Sequence, residues 1–215
     1  MKIQKLLSYT RQAVNDYNMI SEGDRIAVGV SGGKDSICLL TALAHMRRFF
    51  PCSYDIEAIT VSLGFDGCDY SAMEEYCRKL SVRYTVVDTS IGEIIFDRRK
   101  EENPCSLCAK MRKGALNNAA EELGCNKVAL GHNKDDVIET FIMSLIYEGR
   151  ISCFSPVSFL ERKKLYSIRP LIYVSEYETR SFVKSLGIEP IKNPCPADGN
   201  TKRQEIKELI KNLSK

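Results

Sequence analysis

"RIAVGVSGGKDSICLL", residues 25–40, changes character twice. Its first six residues are nearly all apolar, short enough for a strand buried on both faces, and Ile37, Leu39 and Leu40 resume the apolar pattern as a helix. Between them stand Ser31, Gly32, Gly33, Lys34, Asp35 and Ser36. A strand that turns into a helix through such residues places them at the carboxyl edge of a parallel sheet, where ligands bind. The two glycines permit a tight backbone and close approach, leaving amide N–H groups at a helix start for an anion. Ser31 and Ser36 add hydroxyl donors, and Lys34 adds a positive charge. A Walker loop would need glycine where Val28 stands and serine or threonine where Asp35 stands, and no G-x-G-x-x-G occurs.

Outward from this stretch the chain alternates. Ile3, Leu6, Leu7, Thr10, Val14 and Tyr17 recur at helical spacing, which predicts an amphipathic N-terminal helix over 1–20. Strands are predicted at 25–30, 55–63, 82–88 and 127–132, with a last one near 168–172. Helices are predicted at 37–50, 71–80 with a serine cap, 106–123, 135–149 and 175–187, followed by a charged terminal helix within 201–215. The stretch from 89 to Pro104 reads as irregular, and 151–167 as a loop or hairpin. The expectation is an α/β fold: one doubly wound domain over 1–215 with a mostly parallel, five-stranded sheet and the two terminal helices as appendages.

Composition narrows the class. A chain of 215 residues, 44% apolar and 27% charged, is of ordinary globular make-up. It contains no apolar run of about 20 residues and no secretory leader pattern, so no membrane contact and a cytoplasmic location are expected. The net charge of +3 is too small to demand a polyanionic partner, but "DRRKEE" (97–102), "KMRK" (110–113), "ERKK" (161–164) and the tail gather cations locally. Nine cysteines exceed what packing requires in a reducing compartment and point to buried thiols, metal ligation or sulfur chemistry.

A second strand-to-helix junction, "LGHNKDD" (130–136), faces the same crevice as the first. Gly131 and His132 lie at its strand end, and Asp135 with Asp136 can cap the helix and bind a divalent cation. Cys105 and Cys108 form a C-x-x-C at a helix start, where the dipole favours thiolates. Alone it fits a redox pair, half a zinc site or part of an iron–sulfur site. No second C-x-x-C or C-x-x-H completes a zinc site, and the best third ligand is Cys195 in "NPCPADG". Arg112 lies one turn beyond Cys108 on the same helical face, aimed at the crevice. Cys38, Cys52, Cys68, Cys77, Cys125 and Cys153 lack paired spacing and read as packing or unassigned thiols.

"SGGKDS" resembles the signature of the PP-loop ATP pyrophosphatases, which cleave ATP between the α and β phosphates and hold the departing pyrophosphate in that loop, and "LGHNKDD" is similar to the family's second nucleotide motif. "PCSLC" with a later "PC", "RPL" (169–171) and the closing "RQEIK" resemble one branch, the tRNA 2-thiocytidine synthetases. The resemblance runs from about residue 20 to residue 207. It departs from archaeal-type 2-thiouridine synthetases in lacking their zinc-binding C-x-x-C pairs, and Ala197 and Asp198 stand where some relatives carry cysteine. It implies a [4Fe-4S] cluster on Cys105, Cys108 and Cys195, ATP at Ser31–Ser36, magnesium on Asp35 and Asp135, and Arg112 stabilising charge on an activated base. It further implies tRNA as partner and a sulfur donor, sulfide or a cysteine desulfurase, with the assembly, a homodimer among the options, left open. The rival readings are a persulfide relay on Cys108 and Cys195, another PP-loop ligase activity with structural cysteines, and a nucleotide- or RNA-binding module without turnover.

Overall fold

The computed structural model describes residues 1–65, 67–99, 104–188 and 202–213. Helix α1 (Ile3–Asp16) buries Leu6, Thr10, Ala13 and Val14 and leads into β1 (Asp24–Gly29). Helix α2 (Lys34–Met46) follows the glycine-rich turn, and nearly all of its residues are buried. Then come β2 (Tyr54–Val61), α3 (Ser71–Lys79), β3 (Arg83–Val87), α4 (Ile91–Glu93) and α5 (Pro104–Glu122). β4 (Lys127–Ala129), α6 (Lys134–Glu148), β5 (Val157–Leu160), β6 (Leu165–Ile168), α7 (Glu176–Leu186) and α8 (Lys202–Leu213) complete the order.

Among the described residues the sheet has six strands in the order β3-β2-β1-β4-β6-β5, and only β5 runs antiparallel to its neighbour. Ile26 of β1 lies level with Ile56 of β2 and Lys127 of β4. The order reverses between β1 and β4, which opens a crevice at their carboxyl ends. One face carries a core built around Ile26, Val28, Leu39, Leu43, Leu171 and Phe182. The other carries a smaller one in which Leu116 and Ala120 of α5 meet Ile59 and Val128. Parallel strands covered on both faces need continuous apolar runs, and that is why β1 and β2 are so plain in the sequence.

Four local expectations are corrected. The sheet has a sixth strand because Val157–Leu160 folds back on Leu165–Ile168 as a hairpin, with Val157 opposite Ile168. The last parallel strand ends at Ile168, earlier than expected, because Pro170 has no amide to donate to a ladder and the chain turns there, with Val174 N–H donating to the Leu171 carbonyl at 2.8 Å. The stretch after β3 is helical: α4 continues as a π-helical turn over Ile94–Arg98, with Ile91 and Ile95 buried. Gly92 makes this possible, since a Cβ there would lie 2.9 Å from the Leu63 carbonyl oxygen. The serine expected to cap α3 is instead its first helical residue, and Asp69 accepts the Ser71 N–H at 2.8 Å.

Candidate active site

Three helices begin at the carboxyl edge beside the crevice, and their first turns differ. α6 carries a capping box: the Asn133 side chain accepts from the amides of Asp135 (2.9 Å) and Asp136 (3.1 Å), and Asp136 Oδ2 accepts from Asn133 N–H at 2.9 Å. α7 repeats the device with Ser175 and Glu178. α2 begins at Gly33 with no capping side chain. Its orphan amides, at the positive end of the helix dipole, are left for an anionic ligand.

The loop is shaped for that ligand. Gly32 adopts φ +77°, a left-handed conformation that side chains disfavour. The Ser36 hydroxyl donates to the Gly33 carbonyl at 2.8 Å, and the Ser31 and Ser36 hydroxyls are 3.3 Å apart. Gly131 lets the end of β4 touch the start of α2, because a Cβ there would come 3.1 Å from the Asp35 carbonyl carbon and 3.2 Å from Ser36 N.

A cavity of about 450 Å³ opens from this loop, within the roughly 300–1,000 Å³ common for small-molecule sites. Ser31, Asp35 and Ser36 form its polar end. Ile59, Val61, Leu116 and Leu130 form its apolar end, suited to a planar base. Arg112 and Lys113 bring two cations to the wall that α5 contributes. His132 also lines it, and its buried Nδ1 has no partner among the described residues, so a ligand atom is what would satisfy it. The donor set therefore fits a nucleotide: orphan amides for phosphate, an apolar slot for a base and an unpaired ring nitrogen.

The carboxylates take distinct places. Asp35 lines the cavity, its Oδ1 accepting from Thr179 Oγ1 at 2.7 Å and from Asn133 Nδ2 at 3.2 Å, its Oδ2 lying 2.9 Å from Lys34 Nζ. Asp135 accepts the Glu176 N–H at 2.7 Å, and Asp136 pairs with Arg203 at 2.6 Å, so each also anchors a neighbouring helix. Asp35 thus stands on the cavity wall within the phosphate loop, a carboxylate placed where a magnesium ion fits. Lys34 is raised in pKa: burial opposes its charge, but Asp35 and Glu176 outweigh it.

His132 carries a neighbourhood that its sequence context conceals. Its ring lies 4.8 Å from Phe154, whose ring lies 5.0 Å from the Arg169 guanidinium carbon. Burial first, then Arg169, Arg203 and Lys113, push His132 down to about 4, so it is neutral at physiological pH. Arg169 is only 6% exposed and has no carboxylate partner among the described residues; it donates to the Ser155 carbonyl at 2.5 Å and to Ser158 Oγ at 3.4 Å. "RPL" was the only signal for Arg169, and nothing in the sequence pointed to Phe154.

Cys105 and Cys108 occupy the first turn of α5, the helix that also brings Ala109 and Arg112 to the cavity. Two thiols on one turn at a helix start fit part of a cluster site. Cys195, the expected third ligand, lies outside the described residues. Among the described residues no three His, Cys, Asp or Glu side chains gather as a metal site. Burial pushes Cys38 and Cys77 up to about 12 and Cys125 up to about 11, which makes these three inert packing thiols.

Comparison with known proteins agrees with this geometry. The PP-loop domain profile matches residues 4–213. The chain belongs to the PP-loop family. A tRNA-cytidine(32) 2-sulfurtransferase of Pelobacter propionicus is 39% identical over 94% of this PP-loop chain and 76% of its own length. That of Syntrophotalea carbinolica is 38% identical over 99% of the chain and 82% of its own. Among solved structures, the U34-tRNA thiolase NcsA from Methanococcus maripaludis with its [4Fe-4S] cluster superposes with a TM-score of 0.79 at 26% identity, over 99% of this chain and 72% of that one. The NH3-dependent NAD synthetase of Campylobacter jejuni, at 19% identity and TM-score 0.54, shares the fold.

Proposed function

We propose that this PP-loop protein is an ATP-dependent tRNA sulfurtransferase that activates the C2 carbonyl of a cytidine, position 32 by the names of its relatives, and exchanges that oxygen for sulfur. The observation that carries it is one cavity that has the uncapped amides of α2 at one end and the Cys105–Cys108 helix as a wall. Ser31 to Ser36 cradle the pyrophosphate, and Asp35 and Asp135 serve magnesium. The carbonyl oxygen attacks the α-phosphorus, pyrophosphate leaves, and sulfide displaces AMP from C2, with no net oxidation or reduction. An amide-like oxygen is a poor leaving group until it is esterified in this way. Gly131 and His132 hold the nucleotide, Asp136 keeps the second motif in place through Arg203, and Arg112 faces the charge that develops on the base. A [4Fe-4S] cluster held by Cys105, Cys108 and Cys195 supplies a coordination position for sulfide. The donor is sulfide itself or a cysteine desulfurase. The cations of 98–113 and 161–164 and α8 meet the RNA backbone. No helix among the described residues is long and apolar enough to cross a membrane.

The test is anaerobic purification followed by turnover. About four iron and four sulfide per chain are expected, with AMP released only when tRNA and sulfide are both present, and 2-thiocytidine found in the recovered tRNA by mass spectrometry. Protein without iron that still thiolates would replace the cluster by a persulfide relay, and tRNA left unthiolated would overturn the reading.

A further inference from the structure

Glu176 opens α7 beside the phosphate loop, and nothing in the chemistry above uses it. Its Oε1 lies 3.1 Å from Lys34 Nζ and 3.3 Å from Arg180 Nη2, and its Oε2 lies 2.5 Å from Lys207 Nζ of α8. Its backbone amide is held by Asp135 at 2.7 Å, so its position is tied to the second nucleotide motif. Among the described residues Lys34 has one other carboxylate within reach, Asp35, its neighbour in the chain. A lysine is a flexible point charge. With Asp35 alone beside it, Lys34 would settle on the carboxylate that a magnesium ion needs. Glu176, at 3.1 Å, shares the ammonium with Asp35, at 2.9 Å, and so holds it in the gap between the starts of α2 and α7. Arg180 and Lys207 already neutralise Glu176, so Lys34 can turn toward a phosphate without leaving an uncompensated, mostly buried carboxylate.

We propose that Glu176 is a positioning residue of the phosphate loop: it keeps the Lys34 ammonium extended for the pyrophosphate moiety of ATP, and Lys207 of α8 holds Glu176 in turn. The inference rests on the reading of residues 31–36 as a pyrophosphate cradle. Calorimetric titration of the full chain with inorganic pyrophosphate and magnesium tests it in four proteins: wild type, Glu176→Gln, Lys34→Met and the double variant. Glu176→Gln should weaken binding about tenfold, the scale of one partly buried charged contact, and raise KM for ATP by a similar factor while kcat stays within about threefold. The double variant should bind no worse than Lys34→Met alone, because Glu176 acts through Lys34. Lys207→Met should weaken binding by about threefold, Arg180 remaining. Wild-type affinity in Glu176→Gln, or losses that add in the double variant, would overturn the proposal while leaving the cradle intact. Lys34→Met binding as tightly as wild type would overturn the cradle, and Glu176 with it.

Discussion

Acidification should destabilise this protein through His132, and the size of the effect follows from its surroundings. An imidazole in the unfolded chain titrates near 6.5, whereas burial and the Arg169, Arg203 and Lys113 charges hold the folded His132 at about 4. Between these values the unfolded state carries a proton that the folded state refuses, so stability rises with pH across the window and is lost as pH falls through it. The full gap is worth about 3 kcal/mol at roughly 1.4 kcal/mol per pH unit, most of it already lost at pH 4.5. Urea unfolding at pH 7.5, 6.5, 5.5 and 4.5, run on wild type and on His132→Phe, isolates this contribution, because phenylalanine keeps the ring contact with Phe154 and cannot titrate. All other acidic groups act on both proteins alike. The chain has only two histidines, so ring NMR follows both directly. A His132 resonance titrating near 6.5 in the folded protein, or two stability curves running parallel from 6.5 to 4.5, would refute the reasoning.

Glu176 extends the acid sensitivity to lower pH: burial raises it, but Lys207 and Lys34 outweigh burial and hold it at about 2, so its contribution to stability declines as pH falls from 4.5 toward 2; the Glu176→Gln protein should lose stability less steeply between pH 4.5 and 3. Gly131→Ala should weaken ATP binding at least tenfold, measured by calorimetry, because the new Cβ meets the backbone of Asp35 and Ser36, which cannot swing aside like a side chain. Arg112→Met should slow AMP release at least tenfold while leaving ATP affinity within about threefold, since the charge is asked to act on the developing anion; an equal loss of ATP affinity would assign Arg112 to nucleotide binding. Ser175→Ala removes the cap of α7 and should cost about 1 kcal/mol, read as a fall of about 2–4 °C in the unfolding midpoint.

Features set by neighbours in the chain are legible in the residues themselves. The β1–loop–α2 unit, the caps of α6 and α7 and the glycine stops at Gly149 and Gly187, both left-handed, depend on groups a few residues apart. Strand β5 is not legible in this way, because four residues of a hairpin become a strand only through pairing with β6. The helical turns at 91–98 are hidden for the same reason, since their apolar residues become informative only with Leu63 and Phe65 in place beneath Gly92.

At the site, residue chemistry alone is enough to mark an anion cradle that is not a Walker loop, a pair of thiols at a helix start and a doubled aspartate at another. It cannot say which of several candidate anion-binding helix starts lacks a cap, that Asp35 opens on the cavity while Asp135 and Asp136 also hold α7 and α8, or that Glu176 and Arg169 stand beside the ligand groups. Those relations join residues up to 144 apart in sequence, as in the Thr179–Asp35 hydrogen bond. Spacing along the chain carries the chemistry of a loop, but contact between loops is decided by how the sheet orders its strands.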